Sequence, residues 1–312
     1  MKKNISVIIP FYNCISTLSV MLDSILAGTV VPSEIILVND GSTDGSDKLA
    51  MDYAQKHPFI KVLSQNHSGV SYARNLGLSA VNGSWISFLD ADDYIESEMY
   101  SLMLQAIETS TDEVDGCICG YYTHKEGVVT SYIINSEATL DSHNMLKAMF
   151  TDEAVKGFLF TRLFRVELLK DLSFNNNLYL CEDLLLQTQL LSAKEARFVT
   201  VNKPLYHYVQ NESSATTKKS FFENNLFIYK PAYDLISEYI HDSYISESYN
   251  NILEYSMYTL LENYQKSGTP DTLKEIRLLQ KELKLSGKSL SHKSKRRIAF
   301  EIAPIIYSKF MS

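Results

Sequence analysis

The chain has 312 residues, 45% of them hydrophobic, and a formal net charge of −8 at pH 7. This length and apolar content support a large core, near the size at which one domain divides into two, and the acidic balance argues against general nucleic-acid binding. The four cysteines show neither metal-site nor secreted-scaffold spacing, so we expect reduced thiols in a cytoplasmic protein.

Strand-like and helix-like segments alternate over the first hundred residues. Four apolar segments predict strands, namely ISVII (5–9), EIILVND (34–40), IKVLSQ (60–65) and WISFL (85–89). Helical spacing between them predicts helices that begin near Ser16, near Asp44 or Ser46, and near Ser71. Such alternation is typical of a mostly parallel sheet that is flanked by helices, so the predicted fold class is α/β.

Polar residues gather where these predicted strands end. Tyr12 follows the first strand, Asp40 ends the second, and Asp90, Asp92 and Asp93 follow the fourth. In parallel sheets, ligands bind beyond the carboxyl ends of the strands. Two carboxylates roughly 6 Å apart repel by about 3 kcal/mol at an effective dielectric near 20, so the cluster needs a cation, donors or water. The alternative is a solvated turn whose last Asp caps the next helix.

The pattern changes from about residue 112. Two segments, 114–122 and 128–134, predict strands, RLFRVELLKDL (162–172) and EDLLLQTQLLSA (182–193) predict helices, and 197–209 predicts extended chain. After about residue 218 the sequence is helical and rich in Tyr and Phe, with a break at 267–270. We therefore predict a catalytic domain over 1–218 and a helical C-terminal region over 219–312.

Five motifs, in order, resemble the family 2 glycosyltransferases, which have the Rossmann-like GT-A fold. The motifs are SVIIPFYN, EIILVNDGSTDGS, GVSYARNLGL, GSWISFLDADD and YLCEDLLL, and the match covers roughly residues 4–216. The usual acid before Asp40 is Asn39 here. The QxxRW motif and membrane spans of processive synthases are missing, so the resemblance implies a non-processive enzyme of bacterial capsule or other surface-polysaccharide synthesis.

The resemblance implies a donor site for a nucleotide diphosphate sugar, most often a UDP-sugar. It assigns donor binding to Pro10, Phe11, Tyr12, Asp40, Arg74, Asp90 and Ala91. Asp90 and Asp92 form a DxD pair of hard oxygen ligands that suit Mn²⁺ or Mg²⁺, with Asp92 as the principal metal ligand and His207 as a further candidate. The alternatives are an Asx-turn at Asp40, a packed loop aromatic at Tyr12, a plain ion pair at Arg74 and a structural role for His207. Asp93 is interpreted as a helix cap or a supporting acceptor.

Transfer also needs a base. The resemblance makes Asp183 the general base and has Glu182 support it or contact the acceptor, which is a glycan or a lipid-linked oligosaccharide. Plain capping of the helix that starts at these acids is the alternative. A one-step displacement inverts the anomeric centre, so an α-linked UDP-sugar would give a β-linked product.

Two rival functions remain open. A sugar nucleotidyltransferase would carry a Gly-rich, basic N-terminal loop, whereas IIPFYNC has neither glycine nor arginine. The other rival is a non-catalytic nucleotide-sugar-binding subunit of another transferase. Measuring the release of free UDP from a donor distinguishes these two rivals from a glycosyltransferase.

The C-terminal tail is basic. Residues 281–312 carry eight Lys or Arg and two Glu, and a basic cluster precedes four isoleucines on one helical arc, Ile298, Ile302, Ile305 and Ile306. Pro304 predicts a kink there. We hypothesise that the tail, from about residue 288, holds the enzyme at the inner face of the cell membrane. Packing of the isoleucines on the protein's own helices is the alternative, and the C-terminal helices are also a candidate homo-oligomer interface.

Overall fold

The computed structural model describes residues 4–135, 138–210, 220–286 and residue 300. The chain forms two compact units, Met1–Glu212 and Ser213–Ser312. The domain boundary predicted near residue 218 lies outside the described residues, and so does the predicted membrane-binding tail from about residue 288.

The first unit is built on one sheet. Its strands are β1 (Ile5–Phe11), β2 (Glu34–Asn39), β3 (Ile60–Ser64), β4 (Trp85–Phe88), β5 (Tyr94–Ile95), β6 (Gly116–Lys125), β7 (Val128–Tyr132), β8 (Thr139–Asp141), β9 (Arg162–Arg165) and β10 (Arg197–Val209). The strand order is β3-β2-β1-β4-β9-β6-β10-β5, with β7 paired to β6 and β8 paired to β10. Neighbours β1 to β4 pair in parallel, and so do β6 and β10, whereas the other strands run antiparallel to their partners. The predicted fold class, an α/β fold with a mostly parallel central sheet, is therefore confirmed.

Helices supply the apolar residues that cover the sheet. Every residue of β1 and β2 is buried, which explains why both strands are apolar without alternation. Met21, Leu22 and Ile25 of the first helix join Val7 and Leu37 in the main core. The helices of this unit are α1 (Leu18–Leu26), α2 (Ser46–Lys56), α3 (Val70–Ser79), α4 (Met99–Thr109), α5 (Ser142–Thr151) and α6 (Glu182–Ala193).

The helix predicted over residues 162–172 is wrong. This segment forms β9, which lies antiparallel between β4 and β6, and then a 3-10 turn over Val166–Leu169. The spacing of its apolar residues fits a helix locally. However, β4 and β6 both present a pairing edge here, and in the strand Leu163 and Phe164 are both buried, on opposite faces of the sheet. Tertiary pairing therefore overrides the local helical pattern.

The second unit has its own apolar core. A short hairpin, β11 (Phe222–Glu223) with β12 (Leu226–Phe227), precedes the helices α7 (Lys230–Tyr239), α8 (Ser243–Ser267) and α9 (Pro270–Leu285). The break predicted at 267–270 is confirmed: Gly268 takes a left-handed conformation with φ 58°, and the Thr269 hydroxyl accepts the Thr272 N–H to start α9. In the part of the chain that the structure describes, no helix is long and apolar enough to cross a membrane.

Candidate active site

The predicted donor-binding residues meet at one edge of the sheet. Because β1 pairs in parallel with β2 and with β4, the residues that follow these strands share their carboxyl edge. The Asp40 N–H donates to the Phe11 carbonyl at 2.9 Å, which places Tyr12 beside Asp40. Pro10 and Phe11, the last residues of β1, are buried, so their side chains are not available to a ligand.

Asp40 organises the loop between β3 and α3. Its carboxylate is buried and accepts from the Gln65 Nε2 at 2.7 Å and from the Ser68 and Gly69 backbone N–H groups at 2.8 and 2.9 Å. His67 lies on the same carboxylate, with its Nδ1 3.0 Å from Oδ2. The alternative of an Asx-turn at Asp40 does not match these partners, and it is the Asn39 Oδ1 that accepts the Ser42 N–H.

Tyr12 lies beside Asp40 and the loop between β3 and α3. Its side chain is 46% exposed, and its ring stacks on the His67 ring with centroids 4.1 Å apart and an interplanar angle of 25°. An aromatic ring at this edge of the sheet suits stacking on a flat ligand, and the His67 ring shows that a planar group fits against it.

Arg74 joins two motifs that lie far apart in the sequence. Its Nη1 donates to the Glu182 Oε1, and its Nη2 donates to the Asp90 Oδ1 at 3.1 Å. The guanidinium is buried and lies 5.5 Å from the Phe174 ring centroid. Although burial opposes the charged form, the carboxylates of Glu182, Asp90 and Asp183 raise the pKa of Arg74. The guanidinium is therefore a permanent cation between the DxD segment and the acids of α6.

Asp93 anchors the DxD segment to β10 through two hydrogen bonds. This carboxylate is buried and accepts from the Tyr206 hydroxyl at 2.5 Å and from the Val209 N–H at 2.7 Å. The same hydroxyl accepts the Asp90 N–H at 3.3 Å. The interpretation of Asp93 as a helix cap is wrong, because the next helix, α4, begins at Met99. Asp93 serves as a supporting acceptor instead.

Asp90 and Asp92 are half-buried, and Ala91 between them is buried. Burial and the neighbouring Asp90 charge raise the pKa of Asp92 to about 6. This crowding of carboxylates fits a divalent cation, and hard oxygens are the ligands that Mg²⁺ and Mn²⁺ prefer. Among the described residues, no group of three or more His, Cys, Asp or Glu side chains is arranged to hold a metal ion. An ion at this pair would therefore need further ligands from substrate or water.

The acids of α6 complete the cluster. Glu182 and Asp183 lie in its first turn, after Cys181 in a left-handed conformation with φ 62°. The Asp183 Oδ1 accepts its own neighbour's N–H, that of Leu184, at 2.7 Å. Burial, together with the Glu182 charge, raises the pKa of Asp183 to about 7, although Arg74 acts in the opposite direction. A carboxylate with this pKa can take up a proton near neutral pH.

His207 has other partners than the DxD pair. Its Nδ1 lies 2.9 Å from the His124 Nε2, and its Nε2 lies 3.0 Å from the Glu96 Oε1. The ring is also stacked between Tyr94 and Tyr122, at 4.1 and 4.6 Å. Burial lowers the pKa of His207, although Glu96 acts in the opposite direction. This placement favours the structural alternative, and we do not assign a metal to His207.

Sequence reasoning missed Tyr206 and His67. Both contact a predicted site residue: Tyr206 holds Asp93, and His67 lies on Asp40 and Tyr12. No local sequence pattern marks Tyr206 as a site residue, because only the pairing of β10 with β5 brings it next to the DxD segment. For His67, its position in a loop at the predicted binding edge was the one available sign.

Comparisons with known proteins identify the family of the chain. The family model for glycosyl transferase family 2 matches residues 6–172. EpsH of Bacillus subtilis (strain 168), named as a glycosyltransferase, is 31% identical over 287 residues, which are 88% of this chain and 81% of EpsH. The minor teichoic acid biosynthesis protein GgaB of the same organism is 28% identical over 75% of this chain and 27% of GgaB.

A solved structure has the same fold. Residues 1–349 of S. aureus TarS, crystallised with UDP-GlcNAc, superpose with a TM-score of 0.68 at 21% identity, covering 90% of this chain and 81% of that chain. The family-model match over more than half of the chain and the likeness to EpsH over 88% of the chain show the family. The chain belongs to glycosyl transferase family 2 and is a glycosyltransferase with the GT-A fold.

Proposed function

We propose that this enzyme transfers one sugar from a nucleotide diphosphate sugar, with UDP as the carrier, to a hydroxyl group of a glycan or lipid-linked acceptor, and that it inverts the anomeric centre. The observation that carries the proposal is the Arg74 bridge. One buried guanidinium holds Asp90 of the DxD pair on one side and Glu182, next to Asp183, on the other. The donor-binding acids and a candidate base therefore share one site.

The donor would bind along the sheet edge. Tyr12 offers an exposed ring for the base, and Asp40 offers acceptor oxygens to the base or ribose. Asp90 and the Ala91 backbone would contact the nucleotide sugar beside Arg74, whose charge balances nearby acids. The S. aureus TarS structure with UDP-GlcNAc supports UDP as the carrier.

Asp92 and Asp90 would hold Mn²⁺ or Mg²⁺, with Asp92 as the principal ligand. A bound divalent ion would neutralise negative charge on the diphosphate leaving group. The contribution of the protein is to hold both carboxylates at the same edge, which the Asp93–Tyr206 contact does at 2.5 Å.

Asp183 would act as the general base. It removes the proton of the acceptor hydroxyl as that oxygen attacks the anomeric carbon from the face opposite the diphosphate. The new C–O bond forms while the bond to the diphosphate breaks, which inverts the anomeric centre. A well-placed base of this kind contributes about 10²–10⁴-fold. Glu182, held by Arg74, would fix the start of α6 so that Asp183 faces the acceptor.

The acceptor would belong to surface-polymer assembly. This part of the proposal rests on family likeness, including the likeness to the teichoic acid biosynthesis protein GgaB. Attachment to the inner face of the cell membrane through the tail and a homo-oligomer through the C-terminal helices stay predictions.

A donor screen tests the proposal. The protein is incubated with UDP-, GDP- and dTDP-sugars, with Mn²⁺ or with EDTA, and the released nucleotide is measured. We expect UDP release from at least one UDP-sugar, its loss in EDTA and its loss in Asp92→Asn. Formation of a nucleoside monophosphate with no free UDP would contradict the proposed chemistry. Equal turnover with Mn²⁺ and with EDTA would contradict its metal dependence.

A further inference from the structure

His67 imitates a bound nucleobase. Its flat ring is stacked on Tyr12 at 4.1 Å, and its Nδ1 lies 3.0 Å from the Asp40 Oδ2 and 3.1 Å from the Asp40 carbonyl oxygen. Both of these atoms are acceptors, so Nδ1 carries the hydrogen and donates it. A planar ring that stacks on Tyr12 and donates a ring N–H to Asp40 makes the two contacts that the proposed donor site offers to a base.

The hydrogen bonds of Asp40 leave little room for a further donor. A carboxylate has about four lone-pair sites, and four groups already approach this one: Gln65, Ser68, Gly69 and His67. A nucleotide that donates to Asp40 must therefore displace one of them.

His67 is the group best able to leave. The donors of Ser68 and Gly69 are backbone N–H groups at the start of α3, where the Gly69 carbonyl accepts the Ala73 N–H. Gln65 is half-buried, whereas His67 is exposed, and the Gln65 backbone N–H donates to the Asn39 carbonyl at 2.9 Å. The side chain of His67 is 60% exposed, and rotation about its own side-chain bonds moves the imidazole into solvent without breaking the loop.

We propose that the His67 imidazole occupies the nucleobase subsite of the free enzyme and leaves it when a nucleotide binds. The inference rests on the proposed function. The incoming ligand is a base with a ring N–H, such as uracil or guanine, which takes over both the Tyr12 stack and the Asp40 hydrogen bond. His67 is thus a residue that sets nucleotide affinity by competition.

Competition of this kind has a measurable size. When only a fraction of molecules is competent to bind, the apparent Kd rises by the inverse of that fraction. If the ring fills the subsite about 90% of the time, it weakens binding about tenfold. Removing the competing ring should therefore tighten nucleotide binding, which is the opposite of what loss of a contact residue does.

The experiment compares UDP binding to the full chain and to two variants by titration calorimetry with Mn²⁺. His67→Ala removes the ring, and His67→Phe keeps an aromatic ring but no donor for Asp40. We expect UDP to bind about threefold tighter or more to His67→Ala, and tighter by a smaller factor to His67→Phe, whose ring can still stack on Tyr12 although it cannot donate to Asp40. The matched control is His57→Phe, a change at a histidine that packs near Tyr53 and Phe59, and it should leave the Kd unchanged. Unchanged or weaker binding in both His67 variants would overturn the proposal.

A second measurement follows the ring itself. The His67 Hε1 resonance, assigned by its loss in His67→Phe, should carry a ring-current shift from Tyr12 in the free protein. On saturation with UDP it should move to the position of an exposed histidine, and a ring-current shift that persists would contradict the proposal. Failure of the proposed function looks different, because the wild type would then bind no nucleotide and release none from any donor.

Discussion

The pH dependence of transfer tests the role of Asp183 most directly. Burial and Glu182 raise the pKa of Asp183 to about 7, and only the ionised carboxylate can accept the acceptor's proton. A single group with this pKa is about 10% ionised at pH 6 and about 90% ionised at pH 8. We therefore expect kcat/KM for the acceptor, which reports groups of the free enzyme, to rise about tenfold between pH 6 and pH 8, with a slope near one on the acid limb.

Asp183→Asn removes the titrating group but keeps the shape of the side chain. We expect the rate of UDP release with acceptor to fall at least about 10²-fold, and the acid limb to disappear from what remains. The Kd for UDP should stay within about twofold, because the proposed contact is with the acceptor. Asp112→Asn is the matched control, since Asp112 is exposed and pairs with Arg197.

Stability separates loss of chemistry from loss of folding. Because the pKa of Asp183 is higher in the folded protein than in the unfolded chain, ionising it costs stability as pH rises from about 4 towards 7. At pH 8, Asp183→Asn should therefore unfold at the same temperature as the wild type or higher. A wild-type kcat/KM that is flat from pH 6 to pH 8, with chemistry rate-limiting, or a variant that keeps the acid limb, would refute the assignment.

Three further changes test the donor side. Asp92→Asn should abolish transfer and weaken UDP binding only when Mn²⁺ is present, and near-normal turnover would exclude Asp92 as the metal ligand. Arg74→Met leaves Glu182 buried and unpaired, which costs about 3 kcal/mol of folding stability. The melting temperature of the unit that holds the site should therefore fall by roughly 6–12 °C, and an unchanged melting curve would mean that the contacts of Arg74 with Glu182 and Asp90 contribute little to stability. Tyr206→Phe removes the hydroxyl that donates to Asp93 and accepts the Asp90 N–H, but it keeps the ring stacked on Phe160. The Mn²⁺ concentration for half-maximal activity should therefore rise, while UDP binding without metal stays constant. Tyr121→Phe, whose lost hydroxyl donates to the Glu153 carbonyl at 2.7 Å, is the control, and equal effects in both variants would argue against a positioning role.

The amino-acid sequence by itself determined most of the architecture. Continuously apolar strands such as Ile5–Ile9 and helical spacing such as that of Leu18, Met21 and Leu22 are local patterns. The alternation of strands and helices over the first hundred residues can therefore be predicted from the sequence. The order of the five motifs indicated the family, and the carboxyl-edge rule for parallel sheets brought Tyr12, Asp40 and Asp90 to one edge. Each strand, helix and motif used in these inferences is itself a short run of neighbouring residues.

Only the tertiary structure decided the rest. Residues 162–165 form a strand because β4 and β6 accept a partner there, which no local pattern records. Arg74 reaches Glu182 across 108 residues, and Tyr206 reaches Asp93 across 113, so neither contact has a local signal. The charge state of Asp183 likewise depends on burial and on charges from other segments. Packing brings these groups together, and since burial and charge set a pKa, the chemistry of the site is a property of the fold rather than of any single motif.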